Sequence, residues 1–408
     1  MISPRQQINL LFALQLISMG AMEMSGPFWP VHLRALTPSD DLFTFATIAV
    51  YVGPMFGIML TSSFWGRMGD RFGHRAMMMR ALFGLAITQF ALAFTGDVWL
   101  ILILRFLQGA CAGYIAPAQA YGVRIENPAR RAKLFAFLQV STNLGSLAGA
   151  LVGGVILDHA TFFWINFSAA ILCCICLASV WVFLPVIEPY PHRDLSAKGR
   201  RTSSSSSINL LRSPQVVLIL SILGMLLLGR MVTQAPFSMY VLSTFNVGNW
   251  VVGLCYGLLA LGFVASASLW ARYFESRSTR DVLRGMSLVI AGCIIVVLLA
   301  GVTRSILVFT AIYFVWGALL GATTPVLTSL VSRSVCDHQQ GHVLGLTQST
   351  AQFSAISGIA LGACFSQFAG LSNVYFLVGF VYAVALILAV VVRGHLGRAK
   401  QPSYIPGG

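Results

Sequence analysis

The sequence predicts an all-α integral membrane protein of twelve spanning helices, arranged as two pseudo-symmetric six-helix bundles. Three observations predict it. The first is composition: 57% of the 408 residues are apolar and 9% are charged. Mean hydropathy is +0.81. A disordered chain needs the opposite balance, and a soluble domain cannot hide so much apolar surface from water. The second is the placement of basic residues between apolar stretches. The third is an internal repeat.

A spanning helix needs about 20 mainly apolar residues. Twelve such stretches run near 8–33, 42–65, 76–95, 99–122, 134–157, 162–187, 214–243, 248–271, 283–303, 305–331, 343–369 and 373–392. The first is too long for the apolar core of a cleavable signal and carries Glu23, so it reads as a span. The longest connector divides the chain into a first bundle at 1–187, a linker at 188–213, a second bundle at 214–393 and a tail at 394–408. Its Ser203 to Ser207 tract has the composition of a flexible linker.

Of the 26 Lys and Arg, Arg34 and Arg304 fall in outside connectors, and Arg105 and Arg230 fall within spans. The other 22 share one side, among them Arg67, Arg124, Lys133, Lys198 and Arg272. That asymmetry is the positive-inside pattern, which places both termini in the cytoplasm. The net charge of +14 is therefore a topology signal. It is spread over separate loops with no reader motif, so no nucleic-acid partner is expected. The eight cysteines lie mostly inside spans. Cys173, Cys174 and Cys176 lack His or carboxylate company, so they read as apolar packing and no metal site is expected.

The repeat is explicit. Gly20-x-Met22-x3-Gly26-Pro27-Phe28 returns as Gly229-x-Met231-x3-Ala235-Pro236-Phe237. Trp65-x-Arg67-x2-Asp70 returns as Trp270-x-Arg272-x2-Glu275. Gly109-x3-Gly113-x3-Pro117 returns as Gly317-x3-Gly321-x3-Pro325. Gln139 and Gly149-x3-Gly153 return as Gln348 and Gly358-x3-Gly362. Four matches in order at a near-constant offset of 205–209 residues imply two bundles related by an axis along the membrane normal, with substrate sites near the midplane.

The loop Gly66-Arg67-Met68-Gly69-Asp70-Arg71-Phe72-Gly73-His74-Arg75 resembles the signature loop between spans two and three of the major facilitator superfamily. His74 stands where that family carries Arg or Lys. The twelve spans, middle loop and repeat extend the resemblance over essentially the whole chain. Leu104-Arg105-Phe106-Leu107-Gln108-Gly109-x3-Gly113 looks like the fourth-span motif of proton-coupled members. Gly145-x3-Gly149-Ala150-x2-Gly153-Gly154 is similar to the fifth-span motif of drug/proton antiporters, with Ala150 in place of their Pro. The resemblance implies a proton-coupled exporter that works as a monomer in the inner membrane. It also implies a cytoplasmic latch built from Gly66, Asp70, Arg71, Gly73 and Arg75, with Glu275 at the repeat position of Asp70.

Glu23 is the carboxylate deepest in a span. An ionised group at mid-bilayer costs at least about 2.5–3.5 kcal/mol, so it must pair, face water or take up a proton. Arg105 and Arg230 are the available cations. Glu23 in span one with Arg105 in span four resembles the pairing used by multidrug/proton antiporters. The alternative is a fixed ion pair that locks two helices. Arg230 could bind an anionic substrate or pair with Glu23. Gln139 and Asn143 share a face of span five, and Gln348 and Gln352 take their repeat positions in span eleven. They line a polar cavity or hydrogen-bond between helices. Gln108, Trp29 and Tyr240 are further candidates for substrate contact. Gly149, Gly153, Gly154, Gly358 and Gly362 suit close helix packing.

No nucleophile–base pair or ring of pore charges appears, which excludes an enzyme and a channel. What fits is a secondary transporter of a small molecule, driven by protons across the bilayer and needing no cofactor. Export of a drug-like compound or metabolite leads. Export of an anionic siderophore by Arg105 and Arg230, and proton-coupled import, stay open.

Overall fold

A computed structural model describes residues 3–126, 131–186, 214–275, 277–333 and 340–398. The linker 188–213 and the end of the tail lie outside the described residues, as do the side chains of Asp70 and Glu275 and the surroundings of Gly66. The chain is helical, with no strand among the described residues. Its helices are α1 (Pro4–Glu23), α2 (Trp29–Leu36), α3 (Asp40–Phe72), α4 (His74–Phe94), α5 (Val98–Cys111), α6 (Ile115–Ile125), α7 (Arg131–His159) and α8 (Phe162–Phe183). Then follow α9 (Pro214–Val232), α10 (Phe237–Phe245), α11 (Asn249–Glu275), α12 (Thr279–Val302), α13 (Ile306–Leu320), α14 (Thr323–Arg333), α15 (Gln340–Ala369) and α16 (Val374–Arg398).

Ten helical stretches are long and apolar enough to cross a membrane, and α9 with α10, bent by 47°, makes an eleventh. The 30-residue α15 covers the remaining predicted span. Four spans are broken: α1/α2, α5/α6, α9/α10 and α13/α14. They are spans one, four, seven and ten, and the sequence reading ran them as continuous. Three of the four breaks have a local cause. Pro27, inside a single 3₁₀ turn at Gly26–Phe28, and Pro236 cannot donate to a helical ladder. Gly113 adopts φ +106, which a side chain would resist.

The repeat returns as repeated bonding. Trp65 Nε1 donates to the Ala110 carbonyl at 2.7 Å, and Trp270 Nε1 to Ala318 at 2.9 Å. Each satisfies an orphan carbonyl at the end of a helix that stops mid-span. At the α5/α6 break the Arg80 guanidinium donates to Cys111 O at 2.9 Å and lies 3.7 Å from the Trp65 ring.

Packing divides the described chain into two compact units. One carries α1–α8 with α10 and the start of α11, residues 235–261; the other carries α9, the rest of α11 from Gly262, and α12–α16. In the first unit, Leu11, Leu14, Met78, Leu82, Tyr121 and Leu138 are part of a core drawn from α1, α4, α6, α7 and α8. Phe83, Ile87, Phe90 and Phe94 form an exposed stripe on α4, while Met78, Leu82 and Leu85 on its other face are buried. Such a stripe is stable against lipid and costly against water.

Glycines set the closest approaches. A Cβ at Gly149 would lie 2.2 Å from Gly20 O, and one at Gly153 1.9 Å from Met24 O. In the second unit a Cβ at Gly358 would meet Leu228 O at 2.5 Å, and at Gly362 Val232 O at 1.8 Å. These backbones touch, so a single methyl has nowhere to go. Gly154 turns the other way, toward α11, with a Cβ 2.5 Å from Asn249 O.

Helix starts follow ordinary capping rules. Ser3 and Gln6 form a reciprocal capping box on α1. Ser39 caps α3, Asp97 caps α5 and Ser278 caps α12. Each cap contributes about 1 kcal/mol.

Gly153→Ala should destabilise the purified protein by at least about 1–3 kcal/mol, the usual cost of overpacking. Gly96→Ala, where a Cβ meets nothing within 4 Å, should leave it unchanged. Thermal unfolding in detergent followed by size-exclusion chromatography reads both.

Candidate functional site

The site in the first unit starts from a proline. Pro54 sits inside α3, and a proline has no N–H to give the carbonyl four residues earlier. That carbonyl belongs to Val50. Arg105 Nε on α5 donates to it at 3.1 Å. An Arg Nη1 bond to Gln108 Oε1 holds the guanidinium's other side. The two bonds fix the fork in one plane. Trp29, fully buried, puts its ring 5.1 Å from Arg105 Cζ. A cation over an indole face is favourable, more so when shielded from water. Gly109 permits the geometry: a Cβ there would fall 2.1 Å from Pro54 O, so α5 can press onto the proline bend.

Glu23 is the last residue of α1. Its side chain folds over the break, where a Cβ at Gly26 would lie 2.6 Å from Glu23 Oε2. The Tyr51 hydroxyl on α3 donates to Gly26 O at 2.9 Å. Glu23 and Tyr51 both lie within electrostatic reach of Arg105. The structure thus brings Glu23, Arg105, Gln108 and Trp29 together, and adds Tyr51 and the Val50 carbonyl. Ser25 Oγ, Trp29 Nε1, Thr47 Oγ1 and Gln108 Nε2 are buried without a protein partner. Buried polar atoms of this kind take water or a bound polar group. A carboxyl, a guanidinium and a phenol within electrostatic reach of one another can hold a proton or an ionic group and respond when either changes.

The second unit differs at the same repeat positions. Tyr313 and Trp316 stand where the first unit has Arg105 and Gln108. Tyr313 and Tyr375 share a hydroxyl hydrogen bond of 2.6 Å. Arg230 is partly buried, with its Cζ 5.9 Å from the Phe263 ring centroid and Tyr382 within electrostatic reach. Gly229 leaves room for that tyrosine, since a Cβ would meet its ring at 2.4 Å.

Most of the remaining candidates are on other elements. Gln139 is exposed and Asn143 partly so on α7, with Asn143 Nδ2 bonded to Gln139 O at 2.8 Å. Gln348 is exposed and Gln352 half-buried on α15. Tyr240 is buried at 1% exposure against the Phe245 ring. In the loop before α4, Gly73 adopts φ +85, which favours glycine. Arg71 lies over the Phe72 ring, and Arg75 donates to the Trp181 carbonyl.

Comparison with known proteins fits this architecture. The family model described as Major Facilitator Superfamily matches residues 11–359. The chain belongs to the major facilitator superfamily. It is a multi-pass membrane transporter and not an enzyme. The superfamily relatives include the staphyloferrin B transporter of Staphylococcus aureus, 23% identical over 95% of this chain and 92% of that one. The class B tetracycline resistance protein of Escherichia coli is 26% identical over 83% and 82%. Among solved structures, a bacterial homologue of the human lysosomal transporter Spinster superposes with TM-score 0.76 at 10% identity, covering 98% of this chain and 99% of its own. At that identity the likeness is one of superfamily fold.

Pro54→Ala tests the site's construction. It returns an N–H to Val50 O and competes with Arg105 for that carbonyl. The variant should be more stable to heat, because an interior proline costs a helix about 3 kcal/mol. It should nevertheless transport about tenfold more slowly, as a guanidinium displaced by 1.4 kcal/mol would require. Melting temperature and efflux rate, measured on the same preparation, check the two halves.

Proposed function

We propose that this transporter is a proton-coupled exporter of a small organic compound, and that Glu23 with Arg105 is its coupling site. The observation that carries the reading is the placement of Glu23 and Arg105 around the break in the first span. A carboxylate in reach of a held guanidinium can exchange a proton for a substrate charge, and alternating exposure makes the exchange vectorial. The tetracycline resistance and staphyloferrin B relatives support the exporting direction. The protein sits in the inner membrane with both termini cytoplasmic and works as a monomer. Residues 1–187 and 214–393 are its two bundles, and Gln139 and Asn143 in the first and Gln348 and Gln352 in the second contact the substrate. The loop from Gly66 to Arg75, with Glu275, latches the cytoplasmic end. No cofactor takes part.

A second reading concerns the cargo. Arg230, resting on Phe263 beside Tyr382, offers a cation on an aromatic wall and suits a carboxylate-bearing metabolite such as a siderophore. The staphyloferrin B relative favours this cargo, and the tetracycline relative favours a drug-like one.

Cells preloaded with a lipophilic cation dye or an iron-chelating polycarboxylate separate the two. About 150 mV acting on one charge supplies about 3.5 kcal/mol, enough for a gradient of a few hundredfold. Wild type should expel one probe against its gradient until an uncoupler is added. Glu23→Gln should lose the uphill component and let the gradient fall toward unity. Full uphill efflux from Glu23→Gln would remove Glu23 from coupling. Arg230→Ala should slow export of the polycarboxylate and spare the dye.

A further inference from the structure

We propose that Asp158 is a conformational latch, whose carboxylate is the borrowed cap of α11 and must let go for the transporter to open at that end. This rests on the alternating-access reading above. Most capped helices here use a residue just before their first turn: Ser3, Ser39, Asp97 and Ser278. The residue before α11 is Gly248, which has no side chain to cap with. The missing acceptor comes from the far end of α7, 91 residues earlier in the chain. Asp158 Oδ1 accepts from Asn249 N at 2.7 Å and from Asn249 Nδ2 at 2.9 Å. Asp158 Oδ2 accepts from Trp250 N at 2.9 Å. Both oxygens are therefore spent on the first turn of α11. A Cβ at Gly248 would lie 3.0 Å from Asp158 Oδ2, so the glycine also makes room for the visitor.

Below the carboxylate the two helices touch along their backbones. A Cβ at Gly154 would lie 2.5 Å from Asn249 O, and one at Gly253 2.2 Å from Ala150 O. At Gly257 it would meet the Leu147 side chain at 2.1 Å. The contact is close and apolar, backbone on backbone with the Leu147 side chain seated at Gly257, so it resists separation mainly through dispersion. The charge-assisted cap adds a directional bond set to it. A helix with its own cap keeps that cap in every state. A helix with a borrowed cap is fully bonded only while the lender is in place. When α7 and α11 part, two backbone N–H groups and one carboxylate must be taken over by water. The cap therefore favours the closed arrangement of this end over the open one. In the orientation proposed above, α7 runs outward, so this is the outer end. The α7 side of the contact falls within the Gly145–Gly154 stretch, whose other face, at Gly145, Gly149 and Gly153, is packed on α1. One helix thus has a fixed face and a releasable one.

The test uses native Cys255, which is fully buried on α11. The full chain is purified into lipid nanodiscs, and alkylation of Cys255 by a hydrophilic maleimide is followed by mass spectrometry. Amide exchange is followed in parallel. Asp158→Ala should raise the Cys255 alkylation rate at least about tenfold. Asn249→Asp leaves Asp158 in place but sets a second carboxylate against it, and should raise the rate in the same direction. It also serves if Asp158→Ala does not fold. Unchanged Cys255 reactivity in folded variants, with faster exchange confined to the first turn of α11, would overturn the latch and leave a local cap. The readout involves no substrate or proton gradient, so failure of the coupling reading would not mimic failure here.

Discussion

The first unit depends on one missing hydrogen bond. Pro54 cannot donate, the Val50 carbonyl is left open, and Arg105 fills it at 3.1 Å. A guanidinium inside a bilayer is costly unless its donors are met and its charge is answered. Here a backbone oxygen, the Gln108 amide and the Trp29 face meet the guanidinium, and the Glu23 carboxyl lies within electrostatic reach. Remove the helix defect and the cation has no seat. The proline is tolerated because Arg105 satisfies what it exposes.

The two repeats keep the frame and change the chemistry. Trp65 and Trp270 make the same carbonyl bond in each half, and paired glycines bring the same helices together. Yet the positions of Arg105 and Gln108 become Tyr313 and Trp316. The first half is charged where the second is aromatic.

Much of this was legible in the sequence. Hydropathy located apolar spans, ten of which, or eleven with the bent α9/α10 pair, are long and apolar enough to cross a membrane, and the repeat paired their parts. Glu23 and Arg105 were visible as charges where charge is expensive. The breaks in spans one, four, seven and ten were not visible, because hydropathy averages over a window and does not register a lost helical bond. Pro27, Gly113 and Pro236 were the local signals. Tyr51 could be seen only as one aromatic among many, since its role needs the Gly26 carbonyl that the break turns outward. The cap from Asp158 to Asn249 crosses 91 residues, and local sequence held only its negative, the glycine before α11. Tyr240 looked available for substrate contact. Its burial at 1% exposure comes from α10 packing into the first unit, a tertiary fact outside any linear pattern.

The account stands on Glu23 and Arg105 acting as one electrostatic unit. A double-mutant cycle of Glu23→Gln, Arg105→Gln and the pair, read as unfolding free energy in detergent, tests that without any substrate. Breaking one partner of a buried charge pair leaves the other uncompensated, whereas removing both does not. The predicted result is a coupling energy of at least about 1 kcal/mol, with the double variant more stable than the sum of the singles implies. Additivity to within about 0.5 kcal/mol would contradict it and reduce the two residues to independent neighbours.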